Sequence, residues 1–116
     1  MARKYIPDRG DIVWIDFDPK KGKEIGKYRP ALVLTSKMYN SKTGLLICCP
    51  ISTSIRGSLT EVPVNNLEKP SVVAASIIHT LSWKDRKAKL ICQAEGHVLQ
   101  DVLARLLPLI GADMFI

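Results

Sequence analysis

The apolar positions of this chain fall into short blocks separated by turn residues. Ile12–Phe17 is apolar and rich in β-branched residues, and Ala31–Thr35 is a continuous apolar run of strand length. Ser36–Gly44 has turn chemistry in Asn40, Ser41 and Gly44, with room for one helical turn. Leu45–Ile51 is another apolar run. Its Pro50 belongs at a strand end or edge, because proline has no N–H to give to a ladder. Thr60–Val64 alternates in character and is closed by the Asn65-Asn66 turn, and Val72–Ile78 and Ala88–Ala94 are the last strand segments. Several short strands at such close spacing predict a small barrel or a strongly bent sheet.

The period changes near the end. From His97 onward, Val98, Leu99, Val102, Leu103, Leu106, Leu109 and Ile110 follow the i, i+3, i+4, i+7 spacing of one helical stripe, with Gln100, Asp101 and Arg105 off it. His97 should sit at the start of this helix as a capping or surface residue. Pro108 should distort its last turn, and Gly111 should stop it. The fold class is therefore mainly β with an appended helix.

Length and composition narrow the class without changing it. A chain of 116 residues, 47% hydrophobic and 24% charged, is expected to form a single folded domain over residues 1–116. No window is apolar enough to span a bilayer, and MARKYIPDRG has no apolar core of a signal peptide. Cys48 and Cys49 are adjacent, so on a strand they point to opposite faces and cannot pair. With Cys92 they are expected to be buried, reduced thiols of a cytoplasmic protein. The chain has no Walker loop, Rossmann glycine pattern, HExxH or GxSxG, no His at metal spacing, and only two His in all, His79 and His97. A metal or cofactor is not expected.

Charge placement points to a polyanion. The formal net charge is +6: Lys20–Arg29, with five basic residues and one acid, carries +4, Lys84–Lys89, with four and one, carries +3, and the rest of the chain sums to −1. Within the block GDIVWIDFDPKKGKEIGKYRP, a strand ends at Pro19 and a mobile basic loop follows. Arg29 then stands directly before Pro30 and the next apolar run. A guanidinium is always charged and forks onto phosphate oxygens. RNA carries its own nucleophile, the 2′-hydroxyl. A protein that cleaves RNA through it needs only to align the attack, stabilise charge on the phosphorus oxygens and manage two proton transfers. Arg29 and the hydroxyls of Ser52-Thr53, just after Pro50, suit those tasks if their loops lie side by side.

The segments YIPDRGDIVWIDFDPKKGKE, YRPALVLTSKMYNSKTGLLICCPIST, Arg56-Gly57 and SWKDRKA resemble the MazF/PemK/Kid family of toxin endoribonucleases, closest to its MazF branch, over nearly the whole chain. The resemblance implies a compact SH3-like β-barrel with a C-terminal α-helix, forming a homodimer. It implies sequence-specific, metal-independent cleavage of single-stranded mRNA that leaves a cyclic phosphate and a 5′-hydroxyl. It also implies an acidic, MazE-like antitoxin as partner.

Carried over residue by residue, the family's catalytic cation is Arg29, its hydroxyl group is Ser52 in place of the usual Thr, and its loop acid is Glu24. RNA contacts are expected from Lys20, Lys23, Lys27 and Arg56, and from Phe17 and Tyr28. Thr53, Ser76 and His79 complete the expected contacts. Ile25 stands where the family has Gln. Ser76 and Ile77 stand where many members have Asp-Gln, Ala74 where Kid has Arg, and Lys23 where Kid has a loop His, so only an Arg29–Ser52 site remains. The proton acceptor is left between Glu24 and His79. Two other readings belong to this fold: a non-catalytic toxin acting on DNA gyrase, disfavoured because GADMFI lacks the expected late Trp, and a degenerate RNA-binding relative.

Overall fold

The computed structural model describes residues 4–115. In chain order the elements are β1 (Asp11–Asp16), β2 (Tyr28–Val33), α1 (Lys37–Thr43), β3 (Leu45–Ser52), β4 (Glu61–Val64), β5 (Ser71–Ala74), β6 (His79–Ser82), β7 (Lys89–Gln93) and α2 (Gly96–Leu109), followed by a 3-10 turn at Ala112–Phe115. The strands form one antiparallel, seven-stranded sheet in the order β4-β5-β3-β2-β1-β7, with β6 beside the first half of β3. The sheet curls into a half-barrel. Asn66 Nδ2 donates to Gln93 O at 2.9 Å, which ties the end of β4 to the end of β7, the two outer strands.

Both faces of the central strands are buried, which is why those strands read as continuous apolar runs. Ile12, Leu32, Cys49, Ile51, Val62, Val64 and Val73 form one core with Val98 and Val102 of α2. Val13, Ile15, Phe17, Ala31, Val33, Leu46, Cys48, Leu81 and Trp83 form a second core on the other face. Cys48 and Cys49 are free thiols on opposite faces, and burial pushes Cys49 up to about 12. Cys92 departs from the expected burial: it is half-buried, because β7 is an outer strand.

Local chemistry explains where elements start and stop. Ser36 caps α1 by accepting from Tyr39 N, and Gly44 ends the helix at φ +73°. Asn40, read as a turn residue, is instead a fully buried helical residue. Its Nδ2 donates to Pro7 O and Thr35 O, and its carbonyl accepts from Trp83 Nε1. β2 begins at Tyr28, three residues earlier than its apolar run. Pro30 is tolerated inside it because pairing with β3 starts only at Ala31.

The expected Val72–Ile78 strand is broken into β5 and β6. β3 pairs with β6 as far as Cys48 and with β5 from Ile51, so Cys49 and Pro50 face five partner residues, 74–78. Pro50 supplies no N–H there, and the partner chain turns outward, carrying Ser76–Ile78 to the surface. In α2, Val98, Val102 and Leu106 are the buried stripe. His97 is exposed and does not cap; Glu95 holds the N-cap position. Past Pro108 the last turn tightens to i→i−3 bonds (Ile110 N to Leu107 O, Gly111 N to Pro108 O), and Gly111 ends it at φ +75°.

Candidate active-site cleft

The β1–β2 loop is shaped by its own polar groups. Phe17 N donates to Lys27 O at 2.9 Å, Lys27 N donates to Asp18 Oδ1 at 2.8 Å, and Lys21 N donates to Glu24 Oε1 at 2.6 Å. Arg86, from the second basic stretch, clamps the base of the loop. Its Nη1 donates to Asp16 O at 3.0 Å and to Asp18 O at 2.7 Å. Gly26 is buried where a Cβ would lie 2.5 Å from Asp18 Oδ1, so a side chain there would collide with the carboxylate that holds Lys27.

This loop covers one side of a cleft of about 600 Å³. Lys20, Lys23, Glu24 and Lys27 line it from the loop, Arg29, Ser52 and Ala74 from strand ends, and Ser54, Arg56 and Glu61 from the far side. Five cations (Lys20, Lys23, Lys27, Arg29, Arg56) outnumber three carboxylates (Asp18, Glu24, Glu61), so the cleft favours an anion. A smaller groove of about 420 Å³ adjoins it, lined by Lys23, Glu24, Ser76, Ile77, Ile78 and His79.

Arg29 is half-buried and held from behind: its Nε donates to Gly26 O at 2.7 Å. Among the described residues its terminal amino groups have no acceptor, so they are available to fork onto a phosphate. Burial lowers its pKa from the ordinary guanidinium value, and the nearby Asp18 carboxylate opposes that shift. Ser52 Oγ accepts from Ser54 N at 3.0 Å, which fixes the oxygen and leaves the O–H to donate outward. His79 packs edge-on against Phe17, with ring centroids 5.2 Å apart. Burial lowers the His79 pKa, Glu24 opposes this and Arg86 reinforces it, so the imidazole is mostly neutral at neutral pH.

The residues singled out from the sequence are therefore sorted by the fold. Arg29, Ser52, Glu24, Lys20, Lys23, Lys27 and Arg56 converge on the cleft, and Ser76 and His79 lie in the adjoining groove. Three are placed elsewhere. Phe17 is 3% exposed in the core and supports His79 rather than facing a ligand. Tyr28 alternates away from Arg29 along β2, stacks on Trp14 at 5.6 Å and donates to Lys87 O. Thr53 is exposed but does not line the cleft; Ser54, in phase with Ser52, does.

Asp18, Ser54 and Glu61 were not singled out from the sequence. Asp18 had a signal in the DFDP run, whereas Glu61 had only its place in an alternating strand. Glu61 orders the far wall by accepting from Arg56 N and Ser58 N, both at 3.1 Å. Among the described residues no three His, Cys, Asp or Glu side chains converge as a metal site, and no helix is long and apolar enough to cross a membrane.

Residues 8–110 match the family model described as PemK-like, MazF-like toxin of type II toxin-antitoxin system. The chain is 39% identical over 111 residues to the endoribonuclease toxin MazF of Escherichia coli strain K12, covering 96% of this chain and 100% of the relative. The crystal structure of MazF from Deinococcus radiodurans superposes with a TM-score of 0.89 at 38% identity, covering 93% of this chain and 99% of that one. A MazE–MazF structure from the same organism gives 0.83 at 38% identity, with coverage of 93% and 98%.

Proposed function

The chain belongs to the PemK-like, MazF-like toxin family of type II toxin–antitoxin systems, and on that premise we propose that it is an endoribonuclease acting in the Arg29–Ser52 cleft. The observation that carries this assignment of the site is the meeting on one cationic cleft of Arg29 and Ser52, whose terminal amino groups and O–H have no acceptor among the described residues.

The substrate is single-stranded mRNA, whose phosphate the cleft's cations draw in. The 2′-oxygen attacks the adjacent phosphorus, a bond forms from it to phosphorus, and the bond to the 5′-oxygen breaks. The products are a 2′,3′-cyclic phosphate and a 5′-hydroxyl, with no water consumed. Arg29 and Ser52 donate to the non-bridging oxygens as their charge grows. Glu24, which borders both grooves, takes the 2′-hydroxyl proton, with His79 as the other acceptor within the site, and a proton from solvent reaches the departing 5′-oxygen as its bond to phosphorus breaks.

In the cell the protein is a growth-inhibiting toxin of the cytoplasm, where mRNA is translated. It works as a homodimer and is neutralised by an acidic, MazE-like antitoxin. A solved MazE–MazF pair at 38% identity supports that partner, and the cationic cleft suits an acidic chain.

Incubating the purified protein with a long RNA in the presence of EDTA, followed by primer extension, tests the activity and reads the cleavage sequence together. Discrete fragments whose 5′ ends accept phosphate from a kinase without prior dephosphorylation are expected. RNA binding without cleavage would support a degenerate relative instead, and inhibition of DNA gyrase would support the non-catalytic mode.

A further inference from the structure

The far wall of the cleft belongs to residues 53–60, which link β3 to β4 without regular structure. Nearly all of this segment is exposed; Leu59 is 91% exposed despite being apolar, so burial does little to hold it. Its position rests on hydrogen bonds. At one end Ser54 N donates to Ser52 Oγ, and at the other the Glu61 carboxylate accepts from Arg56 N and Ser58 N. Near its β4 end two bonds tie the segment to other elements: Ala75 N donates to Thr60 O at 2.9 Å and, as the one side-chain bond among the described residues, Arg105 Nε of α2 donates to Leu59 O at 3.0 Å. Arg105 Nη1 donates at the same time to Asp101 O of its own helix at 3.1 Å, which fixes the guanidinium plane against α2.

The helix in turn is locked to the core by Val98 and Val102. A continuous path of contacts therefore runs from a rigid helix, through Arg105, to the loop that carries Arg56 and Ser54. Arg105 lies off the apolar stripe and is exposed, so packing does not explain its orientation, whereas the two carbonyls do.

We propose that Arg105 is a positioning residue for RNA binding: by anchoring the Leu59 carbonyl to α2, it holds the Arg56-bearing wall at the width that grips the substrate backbone. This rests on the endoribonuclease reading of the cleft and adds to it a residue remote from the phosphate. Arg105 touches no substrate. Its effect reaches RNA through Arg56, so loss of Arg105 weakens binding while the Arg29–Ser52 pair keeps its geometry.

Steady-state cleavage of a fluorogenic RNA oligonucleotide containing one cleavage site tests this. Arg105→Ala is expected to raise KM about five- to tenfold, the size of effect that follows from losing one exposed hydrogen bond of ordinary strength, with kcat changed less than about twofold. Arg105→Lys, which keeps the charge and one donor, should recover part of the loss. The Arg56→Ala background supplies the readout that a merely structural role would not move. If Arg105 acts through Arg56, adding Arg105→Ala to Arg56→Ala should raise KM little further. An unchanged KM in Arg105→Ala, or full additivity with Arg56→Ala, overturns the role while leaving the cleft reading intact. A wild-type protein that does not cleave overturns both.

Discussion

At the scale of single residues, Arg29 is held by what surrounds it. The Gly26 carbonyl behind Nε turns the guanidinium toward the cleft, and Gly26 can do this only because it lacks a Cβ. Gly26→Ala is expected to displace Asp18, break its bond to Lys27 N and misplace Arg29. Cleavage should fall about tenfold or more, with a stability loss of only about 1–2 kcal/mol, read by thermal melting beside the activity assay. Ser52→Ala removes a donor to the charged oxygens and should lower kcat by about 10²-fold with little change in KM. His79 gives a separate signature. Its folded pKa lies below the ordinary 6.5, so protonation favours the unfolded chain. The His79 contribution to stability is full above about pH 6.5 and is lost as pH falls through the lowered folded value. Melting temperatures of His79→Gln between pH 5 and 7 should therefore vary less steeply with pH than those of the wild type.

At the scale of elements, the loops carry the chemistry and the strands aim it. Arg86 was legible only as one charge in a basic stretch, yet it spans 68 residues of sequence to clamp Asp18 O. No local pattern encodes such a contact. The same limit applies to where Tyr28, one of the expected RNA contacts, is placed. The start of β2 at Tyr28 sets its phase opposite to Arg29 and sends it to stack on Trp14. Strand and helix identities were legible wherever one periodicity ran uninterrupted, as in β1, β3 and α2. The break between β5 and β6 was not, because it is caused by Pro50 on a neighbouring strand rather than by any residue in 72–78. Arg29 and Ser52 were legible as chemistry, but their meeting is a property of register, since β2 pairs with β3 only from Ala31↔Pro50 onward. Arg86→Ala should loosen the base of the β1–β2 loop. Limited trypsin digestion should then cut within Lys20–Lys27 several times faster than in the wild type, and an unchanged digestion rate would show that the loop is held by its internal bonds alone.

At the scale of the whole molecule, a half-barrel with two apolar faces presents a cationic cleft at one rim and braces it with a helix. The charge excess acts over the Debye length and should govern capture more than turnover. If the cleft neutralises about four phosphates, the affinity for single-stranded RNA should fall with a log–log salt slope of about −3, measured by fluorescence anisotropy on a non-cleavable RNA. The salt slope concerns binding, whereas the central claim concerns the Arg29–Ser52 pair, and single-turnover cleavage of one defined RNA by Arg29→Ala beside the wild type tests it most directly. The expected result is a cleavage rate lowered by at least about 10³-fold in a variant that melts within a few degrees of the wild type, because Arg29 is half-buried at the cleft and outside both cores. Cleavage by Arg29→Ala at the wild-type rate would contradict the account.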